Sequence, residues 1–402
     1  MTTSTFWPRS RPLWLTAALL GAAPLAACGV AEPPSAPSLG TADVSVLTQA
    51  VTAYAAWVTT STTDPYVNRC ATDPVTSIGA LTTNPTYVMG YRSGSDGCSV
   101  PAPTTGNGLV HHQGIQRLTR GGYNYLLATT SVDASSDPGF EVVRLGSKDA
   151  TTGALGKNVD PLQLSSCSDA IVRYASDGSS PRDHAGGLQV SGEYAIVPFE
   201  HANDGYTAGF RTAALSDPTN PQWSPLVLRT RGQTTNAGAA ALTRLASGQF
   251  LAFLFGNDSD DVEVFVSSQT ALPGHGGTTS QWVSQASTAT PFGGSNYQNL
   301  QLVTRCDGQL YVAGTHKNTT GEDWVDLWRV DLSSTYLPTF TKVANRHMYC
   351  STSNTGNTRY CDFDAGAGIY VNGTGGILLY GVEHYNDGYP GTTRAVKVRE
   401  FP

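Results

Sequence analysis

Five stretches of the chain share one order of apolar and polar positions: a small or polar opening, a short apolar strand, a Gly-containing turn, a second strongly apolar strand, a polar loop and a third, alternating strand. In chain order they read HHQGIQRL–YNYLLATTS–FEVVRLGS, DHAGGLQV–YAIVPFEH–GFRTAALS, NAGAAALTRL–QFLAFLFG–VEVFVSS, YQNLQLVT–QLYVAGTH–VDLWRVDLS and FDAGAGIYV–GILLYGVEH–RAVKVREF. Alternation of period two with Gly-rich punctuation is the signature of strands and hairpins, and recurrence at a fixed period is that of a repeat architecture. The openings at His112, His184, Asn236, Gln298 and Asp364 stand 72, 52, 62 and 66 residues apart. That is longer than a blade of about 40 to 50 residues, so a fourth strand and generous loops are expected in each unit.

The motif Glu-His-x-Asn-Asp-Gly-Tyr occurs at Glu200 to Tyr206 and again at Glu383 to Tyr389, an offset of 183, or three unit lengths of 61. Units two and five therefore carry it at the same place. Five sheet units in one chain, none able to bury both faces alone, predict an all-β fold, a five-bladed β-propeller. The last unit is one strand short, and Thr86 to Ser93 (TYVMGYRS) is the N-terminal strand expected to complete that blade and close the ring. The competing architecture is a two-sheet sandwich with long loops.

Composition agrees with strands and tight turns: charged residues are only 14% and Gly numbers 43. The net charge of −7, with no basic stripe, excludes a nucleic-acid partner. Arg9 and Arg11 precede an apolar run from Leu13 to Leu25, the order of a secretory signal. The following Leu25-Ala26-Ala27-Cys28 resembles the lipobox of bacterial lipoproteins, which implies that residues 1–28 are a signal segment cut just before the cysteine, with lipidation of Cys28 as the first mature residue and membrane attachment through it. Residues 29–45 (Pro, Ser and Ala-rich) then form a tether, and 46–402 the propeller, expected to be monomeric and extracytoplasmic in the cell envelope. Gly29 in place of an aspartate points to the outer membrane in a Gram-negative cell. Six further cysteines allow fifteen pairings. Proximity in sequence favours Cys70–Cys98 and Cys350–Cys361, leaving Cys167–Cys306.

A first and a second strand joined as a hairpin bring the opening of one and the end of the other to the same end of the sheet. His184 is thus expected opposite Phe199 and Glu200, and Asp364 opposite Glu383. One face of the disc would gather His112, His184, Asn236, Gln298 and Asp364, with His111 and Asp183 adjacent, and a second ring of Glu200, His201, Thr315, His316, Glu383 and His384.

Three chemistries fit this list. Polar residues at a channel mouth can simply be wet, and Asn-Asp-Gly is a good turn sequence. His112, His184 and Asp364, or His201, His316 and His384, could ligate a divalent metal that activates water. Asp183, Glu200, Asp364 and Glu383 could provide metal-free acid and base chemistry, with neighbouring histidines shifting their titration. In blade number, export signal and acidic centre the chain resembles bacterial five-bladed carbohydrate-active hydrolases, which implies a glycan ligand and carboxylate catalysis. It departs from them on the first inner strand, where His112 and Gln113 stand in place of an acidic residue.

Tyr206, Tyr385, Tyr389 and Trp324 are candidates for stacking on a sugar ring. Asn257 to Asp261 reads as a solvated acidic loop or a calcium loop, without the spacing and Glu of an EF-hand. The expected role is binding of a glycan or small polar molecule, with hydrolysis at the same face. The alternative is a non-catalytic surface scaffold.

Overall fold

Among the described residues, twenty-two strands and one short α-helix carry the pattern into five antiparallel sheets. A computed structural model describes residues 69–92, 110–132, 139–148, 153–156, 171–175, 184–200, 206–272, 282–350, 361–364, 366–383 and 395–402, all within one compact unit of residues 48–402. Cys28, Asp183, His201, His384, Tyr385 and Tyr389 lie outside the described residues; for His111 the backbone alone is described.

Helix α1 (Pro74–Ala80) and β1 (Thr86–Arg92) come first. Blade 1 holds β2 (Val110–Arg120), β3 (Tyr123–Val132), β4 (Gly139–Lys148) and β5 (Ile171–Ala175). Blade 2 holds β6 (His184–Ala185), β7 (Gln189–Ser191), β8 (Tyr194–Glu200), β9 (Gly209–Ala214), β10 (Gln222–Trp223) and β11 (Val227–Leu228). In blade 3 are β12 (Ala239–Arg244), β13 (Phe250–Phe255), β14 (Asp261–Ser267) and β15 (Trp282–Ala289). Blade 4 is β16 (Asn299–Thr304), β17 (Leu310–Lys317), β18 (Asp323–Leu332) and β19 (Pro338–Met348). Blade 5 is β20 (Ala367–Val371), β21 (Ile377–Val382) and β22 (Ala395–Phe401), completed by β1.

The inner strands touch in sequence around a circle: β2 with β7, β7 with β12, β12 with β16, β16 with β20, and β20 back to β2. This is a closed five-bladed propeller. The expected closing strand is β1, antiparallel to β22 with Thr86 opposite Glu400 and Arg92 opposite Ala395.

Each second strand lies between two neighbours, so it reads as an apolar run: YAIVPFE, FLAFLF and ILLYGV are buried throughout. The core is accordingly five clusters, one between each adjacent pair of blades. Phe253 and Phe255 with Tyr297 and Leu300 join blades 3 and 4, for example, and Leu379 and Phe401 with Val325 and Leu327 join blades 4 and 5.

Near the axis the backbones are too close for side chains. A Cβ at Gly368 would sit 1.6 Å from the Ile115 carbonyl oxygen, and one at Gly186 2.1 Å from that of Gly238. Between them, glutamine amides bridge blades. Gln189 donates to the Leu302 carbonyl (2.7 Å) and accepts from the Leu242 and Leu302 amides (3.0 and 2.9 Å). Gln301 accepts from the Ile369 amide at 3.0 Å, and Gln116 from Val190 at 3.4 Å. At this level the axis is bridged by hydrogen-bonded side chains, which leaves the ends of the inner strands as the place for a ligand.

The disulfides correct the expected pairing. Cys350 joins Cys361, as proximity suggested, but Cys70 joins Cys306 across 236 residues, excluding both Cys70–Cys98 and Cys167–Cys306. The reason is topological. The segment before α1 runs beside the first turn of blade 4, with the Ala71 amide on the Thr304 carbonyl (2.9 Å) and the Cys306 amide on that of Ala71 (3.0 Å).

Candidate functional site

At the end of the disc opposite the β7–β8 type hairpin turns, the described residues bring side chains from several blades together. His184 pairs in register with Glu200, as the hairpin geometry requires, and its Nδ1 lies 3.0 Å from Glu200 Oε1. The inner strand is broken just after His184. Pro198 on β8 has no N–H to give, and β6 and β7 are separated by Gly186 to Leu188, where Gly187 instead bridges Ala239 of blade 3. The Gly187 amide donates to the Gly238 carbonyl at 2.8 Å. This bulge aims His184 and stitches blade 2 to blade 3 beneath it.

Glu200 is buried, and its second oxygen accepts the Ala237 amide at 2.6 Å. Burial alone would raise its carboxyl, but the His184 hydrogen bond and charge, the Ala237 amide and Arg229 outweigh it and hold Glu200 below the usual range. Arg229 is itself buried, 2.9 Å from Asp261 and 3.6 Å from Glu263, and donates to the Asn236 carbonyl at 2.6 Å. The turn that delivers Ala237 to Glu200 is thus fixed by a buried ion cluster. Asn236, expected as a ligand contact, has its amide nitrogen on Gln233 Oε1 at 2.8 Å.

Blade 3 contributes a carboxylate that the strand pattern did not single out. Past β13 the backbone turns through Asp258 (φ 53°) and Ser259 (φ 55°), two consecutive left-handed non-glycine residues. Such conformations cost about 1–3 kcal/mol each and persist where surroundings enforce them. Here Ser259 Oγ donates to the Ser295 carbonyl and accepts the Tyr297 amide, both at 3.1 Å. Gln298, from the start of blade 4, donates to Asp258 Oδ1 at 2.5 Å and to Asn257 Oδ1 at 3.3 Å. Burial raises the Asp258 carboxyl above its usual range; the Gln298 hydrogen bond opposes this, while the charges of Asp260, Asp364 and Glu200 push it further up. Asp258, Glu200 and Asp364, from blades 3, 2 and 5, therefore share one electrostatic neighbourhood. Asp364 reaches it from a turn, closed by the Gly366 amide on the Asp362 carbonyl, and its side chain is exposed.

Most of the other expected residues that the structure describes are drawn into packing or ion pairs. His112 is fully buried beside a bulge at Gln113, its Cβ 3.5 Å from the Cβ position of Gly366 in blade 5. His316 lies 3.1 Å from buried Asp326 and edge-on to Tyr297; Asp326 also takes Lys342 (2.6 Å) and the Tyr297 hydroxyl (2.5 Å). Glu383 is 3.1 Å from Lys397, and Tyr206 is exposed. Among the described residues no three His, Cys, Asp or Glu side chains are grouped to hold a metal ion. The set His112, His184 and Asp364 is not such a group, because His112 is enclosed between blades, His184 is held by Glu200, and Asp364 stands on an exposed turn. Three cations described near this end are likewise engaged: Arg229 as above, Lys317 with Asp362, and Lys397 with Glu383.

No protein-family model matches the chain, and no curated protein does. Solved structures similar to it include an α-L-arabinofuranosidase from Podospora anserina in complex with cellotriose, 12% identical, TM-score 0.39, covering 80% of this chain and 98% of that one. A GH32 β-fructofuranosidase from Bombyx mori is 10% identical, TM-score 0.46, over 81% of this chain and 64% of that one. A GH43_1 enzyme from Xanthomonas citri complexed with xylose is 13% identical, TM-score 0.37, over 74% and 88%.

Proposed function

We propose that this mouth binds a neutral, hydroxyl-rich ligand, a glycan, and hydrolyses a glycosidic bond in it, with the protein held outside the cytoplasm by a lipid on Cys28. The observation that carries the reading is the convergence of carboxyls from blades 2, 3 and 5 at one end of the disc: Glu200 held by His184 and the Ala237 amide, Asp258 presented by a left-handed turn and held by Gln298, and exposed Asp364. Asp258 is pushed towards the protonated form and Glu200 towards the ionised one, the arrangement by which two similar groups acquire opposite roles. A mouth of carboxylate and amide acceptors, where Arg229, Lys317 and Lys397 are paired with carboxylates of the chain, suits sugar hydroxyls and opposes phosphate or carboxylate ligands.

In this mechanism Asp258 gives its proton to the glycosidic oxygen as the bond from that oxygen to the anomeric carbon breaks. A water adds to that carbon and loses its proton to exposed Asp364. Glu200, with both oxygens engaged, stays on the ionised side and orients His184; burial above all, with the charges of Asp260, Asp364 and Glu200 adding to it, favours the protonated form of Asp258. Gln298 and Ser259 are positioning residues for Asp258. The LAAC sequence ending at Cys28, like a bacterial lipobox, supports the anchor.

The test is release of reducing ends from a panel of neutral oligosaccharides by wild type and Asp258→Asn, which preserves the left-handed turn because Asn tolerates it. The expected loss is roughly 100-fold or more in kcat with KM little changed. Equal turnover by the variant, or no glycan bound or cleaved by wild type, overturns the reading. Incorporation of labelled palmitate, lost in Cys28→Ala, tests the anchor separately.

A further inference from the structure

Blade 4 ends, on the same side as the mouth, in a run of rings that starts at His316, packed on Tyr297, and continues outward through three that no blade core includes. His316 is opposite Trp324 in the β17–β18 ladder, and Trp324 is opposite His347 in the β18–β19 ladder. Directly opposed residues project from the same face of a sheet, so the three lie in a row leading outward from the mouth. The row begins beside the acid: Asn299 is opposite Thr315, and the preceding Gln298 holds Asp258.

Trp324 and His347 stack with ring centroids 4.9 Å apart and planes 26° apart, and Tyr349 continues the series 4.6 Å from His347. Trp324 and His347 are half-buried, and Tyr349 is 46% exposed. None of these three rings belongs to the five inter-blade cores, whereas Trp328, two residues further along β18 from Asp326, packs into one. Beside the rings stand acceptors. The β17–β18 turn carries Glu322, exposed, two residues before Trp324 in the chain, which accepts from Asn318 Nδ2 at 2.6 Å.

Flat, partly exposed rings beside a carboxylate suit a sugar, whose apolar ring face lies on an aromatic plane while its edge hydroxyls donate outward. We infer that Trp324, His347 and Tyr349 form a stacking shelf for an outlying sugar of a glycan chain whose cleaved bond lies at the Asp258 mouth, so that the substrate is a polymer rather than a disaccharide. This rests on the glycan reading of the mouth.

The experiment is electrophoresis of the full chain through native gels containing xylan, arabinan, β-glucan or levan, with hydrolysis of short oligosaccharides measured alongside. Asp258→Asn should be retarded as wild type is. Trp324→Ala and Tyr349→Ala should each lose roughly three- to tenfold in affinity for the retarding polymer, the range of one ring contact, while cleaving the shortest substrates as wild type does. Trp324→Phe should restore most of the retardation, and Tyr349→Ala, on an exposed ring, guards against a folding defect at Trp324. Retardation of both alanine variants equal to wild type overturns the shelf and leaves the mouth standing. No retardation of wild type by any of the four polymers also overturns it. Retardation lost in Trp324→Ala and Tyr349→Ala, with oligosaccharide cleavage unaffected by Asp258→Asn, supports the shelf and refutes the mouth.

Discussion

Removing Cys70 and Cys306 together, as Cys70→Ala with Cys306→Ala, should weaken the fold far more than removing Cys350 and Cys361. The two bonds differ in the loop they close: 236 residues for the first and 11 for the second. In the chain-entropy account these loops restrict the unfolded chain by about 5 and about 3 kcal/mol respectively. The segment bearing Cys70 also leads through α1 into β1, whose pairing with β22 closes the ring, so the bond ties the closing strand to blade 4 as well as to blade 5. Its local hydrogen bonds from Ala71 and Thr72, the latter to the Gly375 carbonyl at 3.0 Å, remain after the sulfurs are gone. The double variant should therefore still fold. Equilibrium unfolding in urea, with a slope of about 3 kcal/mol per M, should show the midpoint falling by about 1.7 M for the first pair and about 1 M for the second. Equal shifts, or a larger shift for Cys350 and Cys361, would refute the account of ring closure. A change in slope would show instead that the unfolded state differs between the variants.

Gly368→Ala should destabilise by about 3 kcal/mol or more, since the new Cβ would lie 1.6 Å from the Ile115 carbonyl oxygen and the inner strands have nowhere to shift; thermal unfolding checks this, and a shift of less than 2 °C would contradict it. Stability should also depend on pH with two signs. Glu200 and Asp326 titrate below their usual range, so their contribution is full above about pH 4.3 and is lost as pH falls through their folded values. Asp258 titrates above its usual range, so it stabilises below about pH 3.9 and its contribution is lost as pH rises through its folded value. Asp258→Asn should remove that second loss, and an unchanged stability profile across the mildly acidic range would contradict the assignment.

The architecture was legible because it is written five times. Unit spacing, the second strands' apolar runs and the missing strand of the last unit are properties of period, and the His184 and Glu200 pairing followed from hairpin geometry alone. What lay beyond period was not legible. Cys306 meets Cys70 because an N-terminal segment crosses to blade 4, which no local spacing records. His112 looked like a mouth residue, but the bulge at Gln113 and the close approach of blade 5 at Gly366 enclose it. In the sequence Asp258 looks like part of a solvated loop, because the acid leaves the strand through left-handed backbone. The available signal was its place just past the second strand of unit three, the position that Glu200 and Glu383 hold in units two and five. The Arg229, Asp261 and Glu263 cluster is likewise three ordinary charged residues until the turn between blades 2 and 3 buries them.

The most direct test of the central claim is a crystal structure of Asp258→Asn with an oligosaccharide that wild type cleaves. The account predicts a sugar unit at the mouth, with a glycosidic oxygen within hydrogen-bond reach of residue 258 and the Asp364 carboxylate facing the same anomeric carbon. A sugar bound elsewhere on the disc, or at the mouth with its glycosidic oxygen turned away from residue 258, would contradict it.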